Sequence, residues 1–234
     1  MSEEHDQALV LRWQETLQDV ADRARRSGRA PADVQIIAVS KRQPLCAIRA
    51  LAACGQLDFG ENYVQEALEK QKGLALDAVQ WHFLGRLQRN KAKFVPGRFV
   101  MLHSLDSLPL ARVLQEKCET VGVVLDVLLQ VNLGQEPQKG GVTEADLPEV
   151  ARGVAEMSAL SLRGLMALPP FELNLAHKQR AFARLARLRD RLQTGLGRSL
   201  DVLSMGTTDD YPQAIAEGAT MVRIGTRIFG PRAC

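Results

Sequence analysis

The chain has 234 residues, 46% hydrophobic and 24% charged, with a net charge of +3. That length suits one large α/β barrel or two small domains with a real core, and so small a net charge makes no case for a nucleic-acid partner. Cys46, Cys54, Cys118 and Cys234 form no CxxC pair, so neither zinc nor a disulfide framework is indicated; no apolar run reaches membrane-spanning length and the N-terminus lacks a secretory signal. A cytoplasmic setting without membrane attachment is expected.

Val10, Trp13, Leu17, Val20, Ala21 and Ala24 recur at helical spacing and predict an amphipathic helix from about Asp6 to Arg26, stopped by Ser27-Gly28 and Pro31. The run VQIIAVSKRQP, Val34 to Pro44, follows. It is apolar on both faces, as a strand of a helix-covered parallel sheet is, and it ends on Lys41, which alternation places with Ile37 and Val39. Helices are then expected from Pro44 to Gly55, in the later part of GENYVQEALEK, over Gln88–Phe94 and over Leu110–Val121. Strands are expected at Leu57–Gly60, Val79–Leu84, Arg98–His103 and Val123–Val131. A Gly- and Gln-rich loop, 132–141, precedes a helix over Thr143–Met157 with Thr143 as N-cap. Leu162–Ala167 reads as a strand and His177–Leu192 as a long basic helix. Ser199–Ser204, a helix from Asp210 to Glu217, and Thr220–Ile224 end the series. About eight strand-plus-helix units result, the number that closes a single (β/α)8 TIM barrel; an open doubly wound sheet is the alternative. No linker divides the chain, so residues 1–234 are expected to form one domain, with the helix of 1–30 packed on the barrel.

The chemistry concentrates at strand ends. A lysine at the C-terminal end of a barrel strand is placed to react, and its neutral amine forms a Schiff base with an aldehyde. LDVLSMGTT and MVRIGTRIFG each put glycine and hydroxyl residues just past a strand: Ser204, Gly206, Thr207 and Thr208 in one, Gly225 and Thr226 in the other. Loops after the last two strands of such a barrel commonly cradle a phosphate. Arg223 alternates with Met221 against Val222 and Ile224, so if those two face the outer helices it points into the barrel. There it needs an acceptor, either a carboxylate such as Asp201 or Glu61, or a ligand ring nitrogen or oxyanion. One ligand answers an imine-forming lysine, a buried arginine and a phosphate cradle together: pyridoxal 5'-phosphate.

The stretches AVSKRQP, FGENYVQEALEK, WHFLGRLQRNK, LRGLMALPP and SMGTTDDYPQAIAEGATMVRIGTRIFGPR resemble the pyridoxal phosphate homeostasis protein family, the YggS/PROSC type, in order from about Val34 to Arg232. The resemblance implies a barrel related to the N-terminal domain of alanine racemase, without that enzyme's C-terminal β domain. It implies pyridoxal phosphate held as an imine on Lys41, Asn62 beside the ligand, Arg223 facing the pyridine nitrogen, and Ser204, Gly206, Gly225 and Thr226 around the phosphate. Met166 is a further candidate contact with the ring. The family pattern SxGMSxD is altered here at Thr207 and Thr208; Thr208 keeps a hydroxyl. The loop containing Lys139 is richer in glycine than the family pattern.

Two roles remain in view. A racemase-type enzyme needs a second acid/base opposite the lysine, and nothing in the spacing of Tyr63 and Tyr211 supplies one. An arginine at the ring nitrogen weakens the ring as an electron sink. A cofactor-holding protein of intracellular pyridoxal phosphate homeostasis, without robust catalysis, is therefore expected, with related B6 vitamers and pyridoxal-phosphate-dependent apoenzymes as candidate partners, and a monomer is expected. Arg180, Arg184, Arg187 and Arg191 form a stripe that reads as a solvated face over Phe182, Leu185 and Leu192. His5, His82, His103 and His177 show no metal-ligand spacing, so no metal is assigned.

Overall fold

Eight short apolar runs become strands because each can bury both faces, one against a ring of helices and one against the other strands. They are β1 (Gln35–Val39), β2 (Asp58–Glu61), β3 (Gln80–Phe83), β4 (Met101–Leu105), β5 (Leu125–Gln130), β6 (Leu160–Met166), β7 (Val202–Thr207) and β8 (Met221–Ile224). In the computed structural model, which describes residues 3–134, 140–170 and 172–231, they pair in parallel in sequence order and close, β8 lying against β1. The expected TIM barrel is the observed fold. The intervening helices are α1 (Glu3–Arg26), α2 (Leu45–Ala53), α3 (Val64–Leu74), α4 (Leu108–Val121), α5 (Leu147–Ala155), α6 (Leu175–Leu196), α7 (Tyr211–Ala216) and α8 (Thr226–Phe229). A short 3-10 turn over Arg89–Phe94 replaces a helix between β3 and β4.

Two apolar layers follow from strand alternation. Ile36, Ala38, Phe59, Trp81, Phe83, Leu203, Val222 and Ile224 face outward into the large layer beneath the helices. Ile37, Leu84, Met101, Leu128, Met166, Val202 and Met221 form the smaller cluster inside the barrel, with Val39 against it. Each large apolar side chain so buried contributes about 1.5–3 kcal/mol.

Several boundaries differ from the periodicity. The helix expected from Thr143 begins at Leu147, because the Thr143 hydroxyl accepts from the Asp146 N–H at 3.2 Å and closes a turn instead. α6 starts before His177, at Leu175, where the Asn174 side chain accepts from the His177 N–H. The four arginines of its stripe are exposed, above buried Phe182, Leu185 and Leu192. No helix of the described residues is long and apolar enough to cross a membrane. Lys139 and Cys234 lie outside the described residues, as does the side chain of His5.

α8 is a single turn and cannot cover the β8–β1 side of the barrel. α1 does so, burying Leu9, Trp13, Val20 and Ala24. Arg12 ties the two helices: its Nε donates to Ile228 O at 2.9 Å and its Nη2 to Phe229 O at 3.3 Å, satisfying carbonyls at the end of α8. Arg12→Met keeps the stem and loses both bonds, so it should lower stability by about 1–3 kcal/mol. The midpoint of urea unfolding measures this; an unchanged midpoint would show that α1 is held by its apolar face alone.

Candidate functional site

Ser40 N donates to Gly60 O at 3.0 Å, so the ladder continues one residue past β1, and Lys41 stands just beyond it at the C-terminal end of the strand that carries the interior residues Ile37 and Val39. Lys41 is half-buried. The chain then turns sharply at Arg42, whose φ of 60° is unfavourable for a residue with a side chain. Outward-facing groups hold that turn. The Arg42 N–H donates to Glu66 Oε1. Lys70 Nζ donates to Ser40 O at 2.7 Å, to Glu61 Oε1 at 2.8 Å and to Glu66 Oε1 at 2.6 Å. The Ser40 hydroxyl donates to Glu61 Oε1 at 2.6 Å. Glu61 and Lys70 are both buried. Burial pushes the Glu61 carboxyl above its ordinary value, with the bonds from Lys70 and Ser40 opposing it. Its Oε2 is buried without a hydrogen-bond partner.

Arg223 does point into the barrel, on the strand next to β1 and level with Ile37. It is 4% exposed. Nη1 donates to Ser204 Oγ at 2.6 Å and Nη2 to Ala167 O at 2.9 Å. Both acceptors are neutral. Neither suggested carboxylate reaches it. Glu61 shares the outer face with Phe59 and is held by Lys70, and Asp201 is exposed just before β7, where it accepts from the Ser199 hydroxyl. Burial pushes the guanidinium down to about 10, with the charge of Asp210 opposing. It therefore remains a cation at neutral pH, without an ion-pair partner among the described residues.

Beyond Ser204 the polar contacts continue toward the barrel floor. Ser204 Oγ lies 2.8 Å from His103 Nδ1, His103 Nε2 lies 3.0 Å from His82 Nδ1, and His82 Nε2 lies 3.0 Å from Asp58 Oδ1. Both histidines are buried, while Asp58, the first residue of β2, keeps 24% of its side chain exposed. Burial opposes the charge on Asp58, yet hydrogen bonds from His82 and Gln35 hold its carboxyl below the ordinary range. The parity of His82 with Gln80 and Leu84 does not by itself decide its direction; Trp81 and Phe83 take the outer face and turn it inward.

At the ends of β7 and β8, Gly206 has φ +90°, and a Cβ there would meet Tyr211 Cα at 2.8 Å, so the close turn into α7 requires glycine. Asp210 holds the same turn by accepting from Thr207 N at 2.6 Å and pairing with the buried Lys178 at 3.3 Å. Thr208 Oγ1 accepts from Gly225 N at 3.2 Å, joining the two loops, and Thr226 is exposed beside it. Ser204 is nearby but wholly buried and engaged by Arg223 and His103, so its hydroxyl is turned away from an anion in these loops. Met166 is wholly buried in the interior cluster, on β6 beside Ser204. Asn62 ends β2, where Gly85 packs so closely that a Cβ would come within 2.1 Å of Asn62 O. A cavity of about 1050 Å³ opens from Asn62 toward Arg86, Arg89 and Lys91, but Lys41, Arg223 and Thr226 do not line it.

The chain thus offers a half-buried lysine at the end of a barrel strand, a buried guanidinium on the adjacent strand without an ion-pair partner among the described residues, and two loops rich in glycine and threonine. This donor set fits a ligand with an aldehyde, a ring acceptor and an anionic tail. The family profile described as "Alanine racemase, N-terminal domain" matches residues 15–233. The chain is 46% identical over 213 residues to the pyridoxal phosphate homeostasis protein of Pseudomonas aeruginosa, covering 91% of each chain. It is 40% identical over 221 residues to the protein of that name from Aquifex aeolicus, covering 94% of this chain and 97% of the relative. Among solved structures, PipY of Synechococcus elongatus with PLP bound has a TM-score of 0.81 at 40% identity, over 90% of this chain and 100% of that one. Alanine racemase from Corynebacterium glutamicum, at 16% identity and a TM-score of 0.70 over 93% of this chain and 61% of that one, shares the fold.

Two outcomes follow from these environments. Lys70→Met strands the Glu61 carboxyl in the outer layer and should cost about 3–5 kcal/mol, much of it restored in Glu61→Gln/Lys70→Met; urea midpoints of the two variants decide it. Burial, then the neighbouring His82 and Arg223, hold His103 well below the histidine value of 6.5. The unfolded chain therefore takes up a proton that the folded chain refuses, so the contribution of His103 is complete above about pH 6.5 and shrinks as pH falls. Stability should drop from about pH 7.5 to about pH 5.5, and His103→Gln should lose less over the same interval. Equal losses would remove His103 as the cause.

Proposed function

The chain belongs to the family of the pyridoxal phosphate homeostasis proteins, built on the alanine racemase N-terminal domain, and we propose that it holds pyridoxal 5'-phosphate on Lys41 for storage, buffering or delivery. The observation that carries this is Arg223: a buried cation with neutral acceptors, beside the strand that ends in Lys41. When bound, the cofactor supplies an aldehyde to the lysine amine, a ring nitrogen as acceptor and a phosphate dianion. Lys41 is the covalent anchor. Arg223 donates toward the ring and leaves its nitrogen unprotonated, which suits retention better than carbanion chemistry. Thr226, Thr208 and the close turns at Gly206 and Gly225 form the loops that receive the phosphate. Asn62 flanks the ligand from β2, and Met166 closes the interior beneath it. Ser204 belongs to the site as the support of Arg223.

Holding without robust turnover is supported by the tyrosines. The Tyr211 hydroxyl donates to Asp19 of α1, and burial with that bond pushes the phenol up to about 12, so it is committed to the outer layer. Tyr63 is exposed, on the side of the 1050 Å³ cavity. We take the protein to act in the cytoplasm as a monomer and to pass its ligand to apoenzymes that use it.

An absorbance scan of protein incubated with pyridoxal phosphate, then borohydride reduction and peptide mapping, tests the anchor. The reducible adduct should map to Lys41 and vanish in Lys41→Ala; an adduct retained on another lysine would refute the assignment. Thr226→Ala should weaken pyridoxal phosphate by about three- to tenfold and pyridoxal hardly at all. Equal losses for both would remove Thr226 from the phosphate site. L-alanine should keep its configuration in the loaded protein, and racemisation would overturn the holding role.

A further inference from the structure

A run of hydrogen bonds leads from Arg223 to the barrel floor, with a donor-only group at one end and a carboxylate at the other. A guanidinium only donates, so Ser204 Oγ must accept from Nη1. The hydroxyl proton then goes to His103 Nδ1, 2.8 Å away. His103, held neutral by its surroundings, carries its own proton on Nε2 and gives that bond to His82 Nδ1. The His82 proton must in turn lie on Nε2, where it meets Asp58 Oδ1. Each link has one proton, and all point from the arginine to the carboxylate. With both imidazoles neutral and Asp58 ionised, this is the arrangement in which every hydrogen finds an acceptor, fixed by the acceptor-only carboxylate at one end and consistent with the donor-only guanidinium at the other.

The barrel does not need this chain for packing. Leu128, Met101, Met166 and Met221 fill the interior around it, and apolar side chains at His82 and His103 would avoid the desolvation of four polar groups. What the chain accomplishes is to fix Arg223. With Nη1 on Ser204 and Nη2 on Ala167 O, the guanidinium plane is set by two acceptors on β7 and at the end of β6, leaving its other N–H groups for a ligand. Resting on the holding function proposed above, we infer that Ser204, His103, His82 and Asp58 are positioning residues for the bound ring: they form a one-way relay through which the floor of the barrel sets how firmly Arg223 grips the cofactor. His103, His82 and Asp58 themselves do not touch the ligand.

The test uses the full chain loaded with pyridoxal phosphate. Wild type must first show the bound chromophore; its absence would defeat the holding function itself, a separate failure from the one tested here. His103→Leu removes both a donor and an acceptor, and should weaken binding about tenfold and move the visible absorbance maximum. His103→Gln keeps one donor and one acceptor and should restore affinity to within about threefold, with the maximum near that of wild type. Asp58→Asn alters the part-exposed far end and should move the maximum in the same direction by less. Ser204→Ala severs the relay at the arginine, so His103→Leu/Ser204→Ala should bind no more weakly than Ser204→Ala alone. Additive losses in that pair, or a bound wild type whose affinity and absorbance survive His103→Leu, would overturn the relay. Should His103→Leu fail to fold, Asp58→Asn decides: an unmoved maximum and unchanged affinity refute it.

Discussion

A cation that cannot escape by losing its proton stands inside a barrel that gives it no carboxylate, and much of the interior is arranged around that fact. Desolvating a guanidinium without an anion costs several kcal/mol, and the two neutral acceptors on Arg223 return part of it. The nearest compensating charge, Asp210, is already occupied by Lys178 and the Thr207 N–H. The folded chain is therefore electrostatically incomplete at one place, and that place adjoins the strand end carrying Lys41. A ligand that brings an acceptor to Arg223 and negative charge to the loops of β7 and β8 removes the imbalance, which is why binding and fold stability should be linked here.

The two halves of the site are supported from opposite sides of the sheet. The turn that presents Lys41 is held from the outer layer by Lys70, Glu61 and Glu66. Arg223 is held from within, by Ser204 and the histidines behind it. Parallel β1 and β8 lie side by side, so these separate supports converge at adjacent positions. Neither support shares a residue with the other, and a defect in one need not be transmitted to the other.

The barrel and the direction of Arg223 were legible in the sequence, because alternation of Val222 and Ile224 against Arg223 forces its face once the strands are recognised. The relay was not. His82 and His103 lie in different strands whose two faces are equally apolar, so parity alone cannot turn them inward. Trp81 and Phe83, too large for a narrow barrel interior, were the available signal, and Leu102 beside His103 gives a weaker one. Glu61 misled for the reverse reason: it was considered as a partner for Arg223 before its face was known, although it shares parity with the outward Phe59 and lies nine residues before Lys70. At Thr143 a side chain that can cap a helix closed a turn instead, since a local hydrogen bond to Asp146 competes with the same donors.

Acid-base catalysis requires a group whose proton can change partners during the reaction. The titratable side chains near the proposed ligand are mostly bound in place. His103, His82 and Asp58 are each saturated by a neighbour in the relay, Tyr211 is fastened to α1, and Glu61 faces the helices with Lys70 on one oxygen. On the proposed reading, what remains for the ligand is a set of donors: an amine, a guanidinium and threonine hydroxyls. Donors fixed by permanent partners grip an electron-rich molecule well and move its protons poorly. On the proposed reading such an arrangement holds its ligand, on a fold shared with alanine racemase from Corynebacterium glutamicum.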